Sequence, residues 1–318
     1  MRSAPLVLPE GSVLTVGCFD GIHLGHQALI GEVYARAARI GAAPLVVSFE
    51  PHPAVVLAQG RGPARLTVAV EQREILAELG PAYLVVLRFD AAMARLSAQQ
   101  FVQEVLLGRC GMRELVIGVN HRFGRGGAGD SLTLPVLGRR LGFAVTVMPQ
   151  VADAQGEVIS STRIRAALAA GELDRAAQWL GRPYRLSGRV VPGAGRGRTI
   201  GMPTINLAAP PPEKALPPDG VYAARVEWGG GTAGAMLNQG PRPTVGDPVR
   251  SLEAHLFGVS QDLYGRMVRI EWVERLRDIQ RFPSLDALRA QLALDREQAL
   301  GVLSRFPETS TTRPIGAR

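Results

Sequence analysis

Residues 17–26, with the sequence GCFDGIHLGH, decide how the first half of the chain folds. They join an apolar run at 13–18, which predicts a buried strand, to residues 24–40, where apolar side chains recur every three or four positions as in a helix. Gly41 is a helix stop, and residues 45–49 form a second apolar run. Strand, helix and strand in this order predict parallel pairing with a right-handed crossover, so residues 17–26 lie at the carboxyl end of a strand.

The same alternation continues along the chain and defines a first domain, residues 1–181. Further strands are predicted at 83–87, 114–118 and 144–149, and further helices at 70–79, 98–107 and 132–141. Repeated strand and helix units in this order predict an α/β, doubly wound, Rossmann-like sheet.

The pattern of apolar and turn-forming residues changes near Gly181. Glycine and proline now separate short apolar runs, which predicts a small antiparallel β-barrel or sandwich. These runs are residues 186–191, 204–207, 221–228, 232–237, 251–257 and 267–273. A closing helix at 284–303 has Ser284 as its N-cap and an apolar stripe of Leu285, Leu288 and Leu292. We therefore expect a second domain at 182–306, followed by a disordered tail at 307–318.

Composition limits the classes of function. The chain has 318 residues, a formal net charge of +8 and a single lysine, Lys214, so phosphates must be bound by arginine, histidine or backbone N–H groups. The arginines are dispersed, aromatic residues make up only 5%, and the sequence has no RNA-binding motif, which argues against nucleic acid as a partner. No apolar run is long enough to span a membrane and the first residues lack the layout of a signal peptide, so we expect a cytoplasmic protein without a membrane partner. Cys18 and Cys110 are expected to be free thiols.

Residues 17–26 also carry chemistry suited to a nucleotide. His26 falls in the first turn of the predicted helix and His23 one turn earlier, so both imidazoles can be aimed at one point beside the positive end of the helix dipole. Gly17, Gly21 and Gly25 allow the backbone to approach a nucleotide closely. Two donors without an acidic nucleophile suit attack of one phosphate on the α-phosphorus of ATP. The alternative is a pair of surface histidines in a glycine turn.

Other segments of the first domain lie where they could complete such a site. Residues 159–165, ISSTRIR, open a helix that Ser160 or Ser161 can cap, and Arg165 could reach the β- and γ-phosphates of ATP. A capped helix with solvated arginines is the alternative. Residues 50–53, EPHP, form a stiff turn after the second strand, and residues 118–124 follow a later strand.

A second glycine-rich segment lies in the predicted barrel. Residues 188–206 read GRVVPGAGRGRTIGMPTIN, and Thr204 and Asn206, two apart on a strand, share one face. A hydroxyl and an amide oxygen are hard ligands that suit Mg²⁺ carried by ATP, and a plain hairpin is the alternative. Glu253 points away from Leu252 and Ala254 on a later strand, where its carboxylate could accept the proton of a primary hydroxyl.

These segments resemble two enzyme families in a fixed order. Residues 17–26 are similar to the HxGH nucleotidyltransferase superfamily and ISSTRIR to flavin adenylyltransferases, whereas GRTIGMPTIN at 197–206 and NQGPRPT at 238–244 are similar to riboflavin kinases. The resemblance covers roughly residues 13–306, and the chain is identified as a member of the prokaryotic bifunctional riboflavin kinase/FAD synthetase family. It implies phosphorylation of riboflavin to FMN and adenylylation of FMN to FAD, with riboflavin, FMN and ATP as partners and Mg²⁺ as cofactor. The oligomeric state stays open, with a monomer as one option.

The resemblance also implies roles for individual residues. In the first domain, catalysis is implied for His23, His26 and Arg165; ATP binding for Gly17, Phe19, Asp20, Gly25, Ser161, Thr162 and Arg165; and the flavin side for Pro51, His52, Pro53, Asn120 and Phe123. In the second domain, Glu253 is implied as general base, with ATP binding for Gly193, Gly197, Arg198, Gly201, Thr204 and Asn206, Mg²⁺ binding for Thr204 and Asn206, and the flavin side for Asn238, Arg242 and Arg277. His121 and Gly258 depart from the family pattern, which has an aromatic residue and an aspartate there.

Two other functions stay open at this point. One keeps a single chemistry, an adenylyl- or cytidylyltransferase whose second domain only binds or regulates. The other is a non-enzymatic RNA-binding protein, which the basic charge alone suggests. The products formed from riboflavin and ATP distinguish them.

Overall fold

The computed structural model describes residues 8–80, 83–193, 195, 197, 200–241 and 250–306. Its contacts divide the chain into two compact units, which are described here as far as these ranges allow. The first unit contains Met1–Arg65 and Gln72–Ser161, and the second contains Leu66–Glu71 and Thr162–Ser310. The domain boundary at residue 181 stays a prediction, and the tail predicted at 307–318 lies outside the described residues.

The first unit is built on a parallel sheet with the strand order β3-β2-β1-β4-β5. All neighbouring strands in it run in the same direction. The chain therefore winds outward from β1 first to one edge and then to the other, which confirms the doubly wound α/β fold. The strands are β1 (Ser12–Val16), β2 (Ala43–Glu50), β3 (Tyr83–Arg88), β4 (Met112–Gly118) and β5 (Ala144–Met148).

Helices connect the strands of the sheet, and two more helices come between β5 and the first strand of the barrel. They are α1 (Leu24–Ile40), α2 (Pro53–Leu57), α3 (Ala69–Leu79), α4 (Ala91–Arg95), α5 (Ala98–Gln100), α6 (Thr133–Leu141), α7 (Ser161–Ala169) and α8 (Leu173–Leu180). Helix α1 has the predicted bounds, and Gly41 ends it in the left-handed conformation, with φ 61°. The segment predicted as one helix at 98–107 is instead α5 followed by wider π-helical turns at Phe101–Leu107. Helices α2, α4 and α8 were not predicted, because eight residues or fewer give little periodicity.

Both faces of the parallel sheet are buried at its central strands β1, β2 and β4. Leu14 and Leu45 pack on one face, in a cluster that includes Phe101. Their sequence neighbours Val13 and Val46 pack on the other, under the helices. Successive strand residues point to opposite faces, so burial of both faces explains why these strands are continuous apolar runs.

The second unit is a closed antiparallel barrel with the strand order β10-β7-β6-β11-β8-β9. Its strands are β6 (Tyr184–Val191), β7 (Ile205–Leu207), β8 (Gly220–Trp228), β9 (Gly231–Pro241), β10 (Arg250–Leu256) and β11 (Met267–Arg277). Pairing of β10 with β9 closes the barrel, which decides between the two architectures left open by the sequence.

Helix α9 (Leu285–Arg305) follows the barrel. The Ser284 hydroxyl accepts a hydrogen bond from the backbone N–H of Ala287 at 3.1 Å, which confirms the predicted N-cap. The predicted apolar stripe was wrong at Leu285, which is 62% exposed. The buried residues of α9 are Asp295, Ala299 and Val302, because the helix packs on the barrel through its later turns.

Candidate active sites

The paired histidines lie between β1 and α1. His23 is the N-cap of α1, and its Nδ1 accepts a hydrogen bond from the backbone N–H of His26 at 3.4 Å. The two imidazole rings are stacked, with centroids 3.8 Å apart and planes inclined by 17°. The structure therefore brings together the two side chains that the spacing predicted to meet, at a helix N-terminus that attracts anions.

The turn before the histidines is held in an unusual conformation. Phe19 and Ile22 have positive φ angles of 48° and 39°, which non-glycine residues rarely adopt. Both side chains are buried in the apolar cluster under α1, and the ring of Phe19 lies edge-on to His26, with centroids 5.2 Å apart. A Cβ atom on Gly25 would lie 3.1 Å from the imidazole of His23. Phe19 and Gly25 thus shape the space around the imidazoles, and Phe19 is too buried to offer a broad stacking surface.

The start of α7 reaches this turn through Ser161. Its hydroxyl donates to the backbone carbonyl of Asp20 at 2.8 Å, so the first residue of α7 contacts the HxGH turn. One helical turn further along, Nη2 of Arg165 lies 3.4 Å from the hydroxyl of Thr162 and donates to it. The described contacts thus join Asp20 with Ser161, and Thr162 with Arg165.

The residues implied for the flavin side of this unit lie at the carboxyl ends of β2 and β4. His52 caps α2, because its Nδ1 accepts from the N–H of Ala54 at 3.1 Å. Pro51 and Asn120 are exposed, Pro53 is half-buried, and Phe123 packs against Phe101 with ring centroids 5.2 Å apart.

His121 joins the same aromatic cluster. Its ring centroid lies 5.6 Å from that of Phe123, and its Nε2 is buried without a hydrogen-bond partner among the described residues. Burial lowers the pKa of His121 from 6.5 to about 4, so its imidazole is neutral at neutral pH.

One residue of this region was not predicted from the sequence. Arg65 is only 6% exposed, and its Nη1 donates to a carboxylate oxygen of Glu50, the last residue of β2, at 2.9 Å. Burial raises the pKa of the Cys18 thiol to about 11, with the Asp20 carboxylate adding to the rise and Arg65 opposing it. Arg65 belongs to no motif, and in an arginine-rich chain only its burial distinguishes it.

The barrel brings three of the implied kinase residues into one row. Glu253 on β10 pairs with Asn206 on β7 and, on its other side, with Asn238 on β9. Directly paired residues of neighbouring strands point to the same side of a sheet. Leu252 and Ala254 are 1% and 0% exposed inside the barrel, so the row of Glu253 and the two asparagines lies on the barrel's outer surface.

The glycine-rich segment covers part of this row. Asn206 is only 6% exposed, and a Cβ atom on Gly193 would lie under 3.0 Å from its carboxamide. The N–H of Met202 donates to the carbonyl of Gly197 at 2.8 Å, which closes the turn that precedes Thr204. Thr204 itself is half-buried and comes just before β7, and Gly201 is exposed with φ 78°. Arg198 and Arg242, also implied in this unit, lie outside the described residues.

Arg277, implied for the flavin side, makes a buried ion pair. Its Nη2 lies 2.6 Å and its Nε 2.8 Å from the two carboxylate oxygens of Asp295, which is wholly buried on α9. The NH₂ group of Gln291 also donates to Asp295 at 2.8 Å. These contacts use one edge of the Arg277 guanidinium, so in this structure Arg277 anchors α9 to the end of β11.

Comparison with known proteins decides the family. A family model for FAD synthetase matches residues 7–163, and one for riboflavin kinase matches residues 180–303. The bifunctional riboflavin kinase/FMN adenylyltransferase of Escherichia coli strain K12 is 41% identical over 287 residues, which cover 90% of this chain and 91% of that protein. The chain belongs to the bifunctional riboflavin kinase/FMN adenylyltransferase family. The protein of the same name from Bacillus subtilis strain 168 is 35% identical over 299 residues, 93% of this chain and 93% of that protein.

A solved structure is similar to this chain in fold. A crystal structure named as a macrolide-efflux protein from Streptococcus pneumoniae has a TM-score of 0.81 and 32% sequence identity, and the match covers 92% of this chain and 94% of that one. Within the described ranges of the present chain, no helix is both long and apolar enough to cross a membrane.

Proposed function

We propose that the first unit adenylylates FMN to FAD at the HxGH turn, and that the barrel phosphorylates riboflavin to FMN beside Glu253. The observation that supports this most directly is that each set of implied residues converges separately. His23 stacks on His26 in one unit, and Glu253 lies between Asn206 and Asn238 in the other. Two separate constellations suit a chain that carries out both reactions of its family.

In adenylyl transfer, a phosphate oxygen of FMN attacks the α-phosphorus of ATP, and the bond from that phosphorus to the pyrophosphate oxygen breaks. Negative charge increases on the oxygens of the α-phosphate during this step. His23 and His26 at the start of α1 stabilise that charge with their N–H groups and with the helix dipole. Ser161 at the start of α7 contacts this turn, and the resemblance assigns Ser161, Thr162 and Arg165 to the remaining phosphates of ATP. Gly17 and Asp20 complete the nucleotide side of the site.

In the kinase reaction, the carboxylate of Glu253 accepts the proton of the riboflavin 5′-hydroxyl. The hydroxyl oxygen then forms a bond to the γ-phosphorus of ATP while the bond to ADP breaks. Asn238 is exposed one strand away from Glu253, where its amide can bind the ribityl chain. Gly193, Gly197 and Gly201 allow the phosphates to approach the backbone.

The residues near Asn206 fit a magnesium ion that arrives with ATP. The described part of the chain has no group of three or more histidine, cysteine or acidic residues that could hold a metal on its own. Thr204 and Asn206 instead offer neutral hard oxygens, which suit Mg²⁺ whose other ligands are phosphates and water. The ion supplies neutralisation of the phosphate charges when bound, and Thr204 and Asn206 would hold it.

A time course of flavin products tests this proposal. The purified chain is incubated with riboflavin, ATP and magnesium, and riboflavin, FMN and FAD are separated at intervals. FMN should rise first, and FAD should follow at its expense. If FMN forms without FAD, the chain carries out only the kinase reaction. If FAD forms only from added FMN, the chain carries out only adenylyl transfer. Cytoplasmic location stays a prediction.

A further inference from the structure

The guanidinium of Arg65 is buried, but only some of its N–H groups have hydrogen-bond partners among the described residues. A guanidinium keeps its charge in proteins, so removing it from water is costly unless its N–H groups are hydrogen-bonded. Arg65 is 6% exposed, yet Glu50 takes one of its five N–H groups, and Nε is buried without a partner among the described residues. The Glu50 side chain is itself 43% exposed, so this ion pair alone does not account for the position of the guanidinium.

The position of Arg65 is specific within the first unit. Glu50 ends β2 and is followed by the Pro51–Pro53 turn, while Cys18, whose thiol lies within the field of Arg65, belongs to the HxGH turn after β1. Strands β1 and β2 are hydrogen-bonded neighbours, so these two turns leave the same edge of the sheet side by side. The Arg65 guanidinium thus contacts the residue that begins the turn assigned to the flavin and acts electrostatically on the neighbouring turn assigned to ATP.

We propose that Arg65 binds the 5′-phosphate of FMN, the attacking group in adenylyl transfer. This inference rests on the proposed adenylyltransferase site. Two anionic phosphates must meet there, and a guanidinium between them offsets their repulsion while its planar N–H groups fix the attacking oxygen. We assign Arg65 to the phosphate of FMN and not to the phosphates of ATP, because Arg65 is paired to Glu50, which begins the flavin-side turn.

Arg65→Gln tests the assignment by steady-state FAD formation, with lumiflavin as a competitor. Lumiflavin has the flavin ring but neither a phosphate nor a hydroxyl that the kinase could phosphorylate. The KM for FMN should rise about 10- to 100-fold, the range of a lost charge-assisted hydrogen bond. The inhibition constant of lumiflavin and the KM for ATP should stay within twofold. An unchanged KM for FMN, or equal weakening of FMN and lumiflavin, would overturn the proposal.

Glu50→Gln provides a second, independent test that does not remove the buried cation. Because Glu50 competes with the phosphate for the guanidinium, its neutral form should leave the KM for FMN unchanged or lower it, again without effect on lumiflavin. A rise above threefold in the KM for FMN overturns the proposal, even where Arg65→Gln does not fold. If the wild-type protein forms no FAD, the proposed adenylyltransferase function itself is wrong, whatever the role of Arg65.

Discussion

Lys214 Nζ lies 2.6 Å from the carboxylate oxygen Oε2 of Glu71, and neither side chain is exposed at all. The ammonium also donates to the backbone carbonyls of Leu66 and Arg185, at 2.7 and 3.0 Å. The other oxygen of Glu71 accepts from the N–H of Ser187 at 3.2 Å. The only lysine of the sequence therefore holds residues 66–71, far away in the chain, as part of the second unit.

Replacing Lys214 with methionine should destabilise the second unit by about 3–5 kcal/mol, because Glu71 then stays buried without its counter-charge. All three tryptophans, Trp179, Trp228 and Trp272, lie in this unit, so their fluorescence during urea unfolding reports on it alone. The matched control is Arg289→Met, since the Arg289–Asp286 pair is exposed and should contribute less than about 1 kcal/mol.

The double variant Lys214→Met/Glu71→Leu should recover most of the lost stability, since it removes both buried charges. If Lys214→Met unfolds at the same urea concentration as the wild type, the ion pair does not hold residues 66–71 in place.

His26→Ala and Glu253→Gln should separate the two activities. His26→Ala should slow FAD formation from FMN by about 10²–10³, because it removes a donor that acts on the developing phosphate charge. It should leave riboflavin phosphorylation nearly intact. Glu253→Gln should slow phosphorylation by about 10²–10⁴ and leave FAD formation from added FMN intact. Each variant is the folding control for the other, and equal loss of both activities in either one would refute separate sites.

Local sequence patterns predicted most helices and strands, whereas the contacts between distant strands depend on tertiary pairing. The bounds of α1 and the meeting of His23 with His26 follow from spacing within one segment. That Glu253 lies between Asn206 and Asn238 could not be derived from the sequence, because strand order and register depend on the closure of the whole barrel. The resemblance named all three residues without placing them together.

The buried charged residues could not be predicted for the same reason, because their burial depends on contacts between distant segments. Asp295 lies on a helix whose leucines dominate its pattern, and nothing in that pattern shows that Arg277 would pair with it. Arg65 and Lys214 are hidden for the same reason: their burial is a property of segments that are distant in sequence. The exposed Leu285 is the reverse case, since an apolar stripe predicts a buried face but not where along the helix the contact begins.

Gly193→Ala should impair the kinase reaction while sparing the fold. The added Cβ would collide with the carboxamide of Asn206, which is the movable end of a side chain and can be displaced. Since Asn206 is assigned to the Mg-ATP complex, phosphorylation should fall by more than about tenfold, mainly through a higher KM for ATP. Gly229→Ala is the matched control in the same barrel, because a Cβ there meets nothing within 4 Å. Equal activities of the two variants would contradict the role of Asn206.

His121→Phe should make the first unit less sensitive to acid. Burial lowers the pKa of His121 to about 4, whereas an unfolded chain has a histidine pKa near 6.5. Between these values the unfolded state binds a proton that the folded state does not, so stability is fully present above pH 6.5 and is lost as the pH falls towards 4. Over this range the wild type should lose up to about 3 kcal/mol more than His121→Phe.

Two measurements check this directly. An NMR titration of the histidine Cε1 signals, in which the resonance missing from His121→Phe identifies His121, should give a midpoint near 4 rather than near 6.5. Unfolding followed by circular dichroism at pH 7 and at pH 4.5 should then show the smaller acid-induced loss in the variant, since other groups titrate alike in both proteins. A midpoint near 6.5 would mean that solvent or a ligand-accessible opening reaches Nε2, and that His121 is free to become charged beside the flavin-side aromatic residues.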